Sequence, residues 1–199
     1  AQSTGKQVSL TTGGDISLSG NNSMIDINPL TDNTTVYTSV GGNITLSGEY
    51  SEVSINVSSG SYDATINFSC KDLTLTDAKA AIVDIDISTR ANVQLQTKNI
   101  TIGKDCVFDT YIPGDNVSLT LNVSGLSGGI ITVNGGLETT ITGKNSIVRQ
   151  NIDNKIKFNP LAYGRWDCSS VYTSSIVVNI WSWTIYKNKP GTINVDDIT

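Results

Sequence analysis

The amino-acid sequence contains an internal repeat, which leaves few folds open to the chain. Five segments share one strand-like pattern, in which a polar residue precedes alternating apolar and polar residues. Their first apolar residues are Ile16, Ile44, Leu73, Ile100 and Ile131. The steps between these residues are 28, 29, 27 and 31 residues. A period in this range indicates a stack of similar supersecondary units, because the strands of a sandwich have no reason to recur in kind.

Each period also contains two further short segments, most of which alternate apolar with polar residues in the way of strands with one solvated face. Clusters of Gly, Asn, Asp and Ser separate the segments and supply corner conformations. The chain holds 23 Ile and 16 Val, and β-branched residues favour strands over helices. We therefore predict an all-β chain, folded as a three-sided parallel β-helix (β-solenoid) of about five turns over residues 13–152. The five first apolar residues should form one vertical column in its interior.

The two ends of such a stack need capping, because they expose unpaired strand edges and an open core. Residues 1–12 are predicted to form an N-terminal cap or arm. Residues 153–199 differ in character and are predicted to form an aromatic-rich C-terminal cap or interaction segment. Its candidate partner-contact residues are Trp166, Trp181, Trp183 and Tyr186.

Several classes of chemistry are disfavoured by composition. The chain has no His, which excludes imidazole bases, Ser-His and Cys-His triads and most zinc sites. A net charge of −5 argues against nucleic-acid binding, and the apolar stretches are too short to cross a membrane. We expect no cofactor and no metal. Cys70, Cys106 and Cys168 have no CxxC spacing, so we expect reduced thiols in or near the core, with one bridge plus a free thiol as the alternative.

The repeated Asn/Asp-Ile-Thr-Leu-like strands and Gly/Asn corners resemble the right-handed parallel β-helices of the pectate-lyase-like class, especially those of phage tail spikes, tail fibres and other virion appendages. The resemblance covers roughly residues 13–152 and is architectural. It implies either a scaffold or a carbohydrate-active enzyme, because some members of that class act through acidic residues on an outward face.

Three outward patterns are candidates for function. Asp84, Asp86 and Asp109 form a possible carboxylate cluster that could serve as acid and base on a glycosidic bond. A ladder of Thr and Ser on the first strand of each repeat resembles the arrays of ice-binding solenoids, although β-propensity alone also explains it. Asn-x-Ser/Thr sequons, which could carry N-linked glycans, occur at Asn21, Asn33, Asn43, Asn56, Asn67, Asn99, Asn116 and Asn122.

From these observations we expect a non-enzymatic structural or adhesive component of an extracellular assembly, such as a phage tail fibre, a spike or another virion protein. Its location would be the virion, or else extracellular or at the cell surface. Its partners would be copies of itself, as a homotrimer or polymer, neighbouring assembly proteins and cell-surface glycans. A secreted N-glycosylated surface or filament subunit is the alternative, followed by a polysaccharide-degrading β-helix and an ice-binding solenoid.

Overall fold

The fold is that of a computed structural model, which describes residues 6–58, 61–76, 80–126, 128–169, 173–181 and 183–195. These residues form three β-sheets that enclose one apolar core. The eight-stranded sheet contains, in spatial order, β1 (Gln7–Thr12), β4 (Thr35–Val40), β7 (Ala64–Ser69), β10 (Ala91–Thr97), β13 (Ser118–Val123), β16 (Ile147–Ile152), β19 (Ser175–Ile180) and β20 (Trp183–Lys187). The six-stranded sheet contains β2 (Ile16–Leu18), β5 (Ile44–Leu46), β8 (Asp72–Leu75), β11 (Asn99–Ile102), β14 (Ile130–Val133) and β17 (Lys155–Phe158). The seven-stranded sheet contains β3 (Met24–Ile27), β6 (Glu52–Val57), β9 (Ile82–Ile87), β12 (Val107–Ile112), β15 (Gly136–Ile141), β18 (Tyr163–Cys168) and β21 (Gly191–Asn194).

Each strand from β1 to β16 pairs in parallel with the strand three places later, so the chain is a parallel β-solenoid, as the sequence predicts. The stack has about six turns, slightly more than the predicted number of about five. The extra turn is built by β17, β18 and β19, from residues that the sequence analysis assigned to the C-terminal cap. The sequences of these strands diverge from the repeat. Their inward positions nevertheless remain in parallel register with the inward positions of the preceding turn.

One apolar column runs through the interior, as predicted. Parallel register places Ile16, Ile44, Leu73, Ile100 and Ile131 directly above one another, and Ile156 extends the column into the sixth turn. The middle members are buried, whereas Ile16 and Ile156 are half-buried at the two ends. The three cysteines are buried thiols outside any disulfide, as the sequence predicts. Burial raises the pKa of Cys70 to about 11, so this thiol stays protonated and unreactive.

The corners explain the Asn and Asp content. Asn33, Asp63, Asn116 and Asn145 all have positive φ between 54° and 59° at the corner that precedes strands of the eight-stranded sheet. Asn and Asp tolerate this left-handed conformation better than most residues. The chain therefore turns in the same way at four of these corners, whereas Arg90 precedes β10 without a positive φ.

The two ends of the stack are different. After β19 the chain reverses, and β20 pairs antiparallel with β19 while β21 pairs antiparallel with β18. At the other end, β1, β2 and β3 are edge strands whose outer sides carry no further strand among the described residues. Nor does any helix in the described ranges have the length and apolar character needed to cross a membrane.

Candidate functional site

The outer face of the seven-stranded sheet carries a column of acidic side chains. Parallel register stacks Asp84 against Asp109 and Asp109 against Glu138, with Asp86 two residues along β9. Neighbouring strands in a sheet lie about 4.8 Å apart, so these carboxylates are close neighbours. The structure therefore brings together the three carboxylates that the sequence singled out as a cluster, and Glu138, another outward acid of the same side, lies next in register. We call Asp84, Asp86, Asp109 and Glu138 the acidic column.

Burial and mutual repulsion shift the ionisation of this face. The pKa of Asp109 is raised, first by burial and then by the charges of Glu138 and Asp84. The pKa of Asp84 is raised by burial and by Asp86. Above the column, the Tyr163 hydroxyl donates a 2.7 Å hydrogen bond to Glu138 Oε1, and burial with the adjacent negative charge raises the pKa of Tyr163 to about 12.

Little positive charge offsets the acidic column. Arg165 follows Glu138 in register, but its guanidinium donates to Asp167 on the same strand at 3.2 Å. The other ion pair among the described residues, Arg90 with Asp63, lies at a corner. The described part of the chain contains no group of three or more His, Cys, Asp or Glu placed to hold a metal ion.

The acidic column has one arrangement in common with glycosidases. Adjacent strands of the sheet lie about 5 Å apart and alternate strands about 10 Å apart, which is comparable to the carboxylate separations of retaining and inverting enzymes. A hollow of about 280 Å³ near the start of β6 and β9 is lined by Met24, Tyr50, Glu52 and Ile82 among others, and the residues of the acidic column do not line it.

Trp166 is placed in the core and not on a contact surface. Its side chain is fully buried, and its indole Nε1 donates to Gln150 Oε1 at 3.1 Å. Gln150 Nε2 in turn donates to Thr139 Oγ1 at 3.0 Å, and Phe158 packs edge-on against the indole at 6.4 Å. This buried polar chain was not predicted from the sequence. The signal for it is Gln150, a polar residue in an inward position of β16.

The other three candidate aromatics are exposed at the C-terminal end. Trp181, in the turn between β19 and β20, is 83% exposed, and Trp183 is 56% exposed. Trp183 stands opposite Ile180 and therefore points to the core side of the sheet, over the end of the stack. Tyr186 stands opposite Val177 on the outer face. The candidate aromatic residues therefore lie in three places: Trp166 in the core, Trp181 and Trp183 at the end of the stack, and Tyr186 on its side.

The sequons divide into two groups. Asn21, Asn33 and Asn116 lie exposed at corners, whereas Asn43, Asn56, Asn67, Asn99 and Asn122 are half-buried. Asn99 Nδ2 donates to Asp72 Oδ1 at 2.9 Å, and Asn122 Oδ1 accepts from Asn151 Nδ2 at 2.9 Å. A glycan replaces a hydrogen on Nδ2, so the exposed corner positions are the ones best placed to carry it.

The hydroxyl ladder exists as a single column on the six-stranded sheet. Ser17, Thr45, Thr74, Thr101 and Thr132 lie in register, and Lys157 ends the column in the sixth turn. At the outward positions beside this column the residue type differs from turn to turn. The column itself is therefore the one regular row of hydroxyl groups on this face among the described residues.

The N-terminal end presents an apolar hollow of about 540 Å³ between β1 and the segment that joins β3 to β4. Val8, Leu10, Pro29, Leu30 and Val36 line it, together with polar residues that include Lys6 and Asp26. Val8 and Leu10 occupy inward positions opposite Val36 and Thr38, yet each is more than half exposed. The core is therefore open at this end within the described residues.

Comparisons of the chain with protein-family models, with curated proteins and with solved structures gave no match.

Proposed function

We propose that this protein is a non-enzymatic structural or adhesive component of an extracellular assembly, such as a phage tail fibre, a spike or another virion protein. The observation that carries the proposal is the uninterrupted stack, in which one apolar column continues through all six turns in parallel register. Such a stack is stiff, because each turn is held by backbone hydrogen bonds and packing to the turns on both sides.

The two unlike ends support the same role. A building block needs surfaces that meet neighbours, and here one end exposes Trp181 and Trp183 while the other exposes Val8 and Leu10. Exposed apolar groups that lie together mark interaction sites, whereas single scattered ones are normal on a protein surface. Copies of this chain, neighbouring assembly proteins and cell-surface glycans are the proposed partners, at the virion or cell surface.

The proposal is tested by incubating the purified protein with a panel of host and bacterial polysaccharides and measuring released reducing ends. We expect no release above a blank at any pH between 4 and 8. Sustained, enzyme-dependent release from any polysaccharide would overturn the structural role.

A polysaccharide-degrading enzyme is the second candidate, favoured by the acidic column with the raised pKa values of Asp84 and Asp109. If reducing ends are released, Asp84→Asn and Asp109→Asn should each abolish the release. Asp26→Asn is the matched control, because Asp26 lies on the same face in the first turn, separated from Asp84 by Ser54. Equal losses in all three variants would remove the assignment of the activity to the acidic column.

A secreted, N-glycosylated subunit is distinguished by intact mass of the protein from its natural source. Hexose-sized increments at the exposed Asn21, Asn33 or Asn116 would favour that alternative over a phage protein. An unmodified mass is the result expected from the proposal.

A further inference from the structure

We propose that the C-terminal end of one copy of this chain seats on the N-terminal end of a second copy, so that the protein assembles head to tail. The inference rests on the proposed assembly role and names the partner of both ends. It follows from three independent features: open strand edges, complementary apolar shapes and opposite charge.

The first feature is the set of strand edges at the N-terminal end. β1, β2 and β3 each leave one side without a neighbouring strand among the described residues. Unpaired edges of this kind present N–H and C=O groups in register for a further strand. All three edges lie at the same end, beside the open hollow that exposes Val8 and Leu10.

The C-terminal end also leaves a strand edge that can continue a sheet. The eight-stranded sheet extends furthest at this end, two strands beyond the six-stranded sheet and one beyond the seven-stranded sheet, and its last strand is β20. With the sheets of two copies aligned, β20 therefore meets the next copy first. It runs in the reverse direction, so it would pair antiparallel with β1 of that copy.

The second feature is a match of shape. Trp183 and Ile185 lie on the core side of β20, opposite Ile180 and Val178, and Trp183 is largely exposed over the end of the stack. The hollow at the N-terminal end, about 540 Å³, is large enough for an indole side chain and is lined mainly by aliphatic groups. A projecting aromatic anchor that fills an apolar hollow is typical of the centre of a protein interface.

The third feature is the charge of the two ends. Residues 1–52 contain Lys6 as the single basic residue and five acidic residues, a net charge of −4. Residues 144–199 contain seven basic and four acidic residues, a net charge of +3. Lys155, Lys157 and Lys187 lie on the edge strands β17 and β20. Opposite charges favour contact between unlike ends, whereas like ends repel, so pairing through two identical ends is disfavoured.

A contact between unlike ends is heterologous, so every open assembly of any length keeps one unpaired N-terminal end and one unpaired C-terminal end. Such a contact builds an open linear polymer unless its rotation closes a ring. The wild-type protein should therefore grow with concentration in sedimentation velocity, without stopping at a dimer or trimer, and should dissociate partly as salt screens the charges.

The experiment uses one variant for each end. Leu10→Lys adds a positive charge to the hollow, where it would face the basic C-terminal end. Trp183→Glu removes the anchor and adds a negative charge that would face the acidic N-terminal end. Both side chains are more than half exposed, so neither change removes a buried contact. The matched controls are Thr11→Lys and Thr184→Glu, which add the same charges to exposed neighbours on the outer faces of β1 and β20.

We expect each end variant alone to lose all species larger than a monomer, while both controls polymerise like the wild type. Mixed in equal amounts, Leu10→Lys and Trp183→Glu should form a dimer that grows no further, because each retains one intact end and these two ends are complementary. Circular dichroism should show the same β spectrum for all five proteins.

Two results would overturn the head-to-tail inference. One is a wild-type protein that stays monomeric at every concentration reached, and the other is a closed oligomer that both end variants leave intact. The closed oligomer would still agree with the proposed assembly role. That role fails by a different readout, the release of reducing ends from a polysaccharide, so the two failures are distinguishable.

Discussion

Buried serines at the corners join successive turns. Ser146 is fully buried, and its Oγ donates to the carbonyl of Gly114 at 2.8 Å while it accepts from the backbone N–H of Val117 at 3.0 Å. Ser174 repeats the motif one turn later, with its Oγ donating to the carbonyl of Gly143 at 2.6 Å. These hydroxyls satisfy backbone groups that the corner geometry removes from the sheets.

Replacing Ser146 by Ala should lower the free energy of unfolding by about 1–3 kcal/mol, because it leaves buried backbone groups without their partner. Urea denaturation followed by circular dichroism measures the change. Ser88→Ala is the control, since Ser88 is exposed and bonds only to Asp86 Oδ1 at 3.3 Å, so its cost should stay within about 0.5 kcal/mol. Equal costs for the two variants would contradict the corner role of Ser146.

The strands of the seven-stranded sheet set the ionisation of the acidic column. Asp109 on β12 stands between Asp84 on β9 and Glu138 on β15, and Asp86 and Tyr163 also face it. Burial and these neighbours raise the pKa of Asp109 above its value in the unfolded chain. The stabilisation linked to its protonation is therefore complete below the unfolded pKa and is lost as pH rises through the folded pKa.

Asp109→Asn should accordingly raise the Tm at pH 7, where it removes a charge from the column. The gain should shrink as pH falls and vanish near pH 3, where Asp109 of the wild type is protonated. Asp63→Asn is the opposite case, because the Arg90 guanidinium lowers the pKa of Asp63, so the charged form contributes stability at neutral pH. A Tm at pH 7 that falls for Asp109→Asn, or that rises for Asp63→Asn, would contradict this electrostatic account.

The whole molecule is a one-dimensional stack, in which each turn contacts mainly its neighbours. Turns in the middle are held from both sides, whereas β1, β2 and β3 are held from one side only. At the C-terminal end, the antiparallel strands β20 and β21 cover two of the three sheets. The stack should therefore open most readily from its N-terminal end.

Hydrogen exchange followed by mass spectrometry tests this gradient. Below the concentration at which copies associate, amides of β8–β13 should exchange most slowly and those of β1–β3 first. The variant Leu10→Lys, predicted to stay monomeric, allows the same measurement at higher concentration. Equal protection along the chain would instead mean that the stack opens in one cooperative step.

Much of the architecture could be predicted, because it depends on local patterns. Segments such as Asn43–Leu46 alternate polar and apolar residues, and this alternation determines which side chains face inward. Ile44 and Ile100 are buried as predicted. The period of 27–31 residues determines that like strands meet, and parallel register then follows. The acidic residues Asp84, Asp86 and Asp109 were found for the same reason, since their outward phase is readable along each strand.

The repeat, the three strands of each turn and the apolar column can be read from the sequence, because they follow from side-chain chemistry within a few residues. Contacts between residues far apart in the chain depend on the complete fold. It placed Trp166 on Gln150 and Thr139 inside the core, brought Glu138 under Tyr163, and added the sixth turn and the antiparallel strands that end the stack. These contacts join residues 11 to 25 positions apart or depend on where the chain reverses, and no local alternation specifies them.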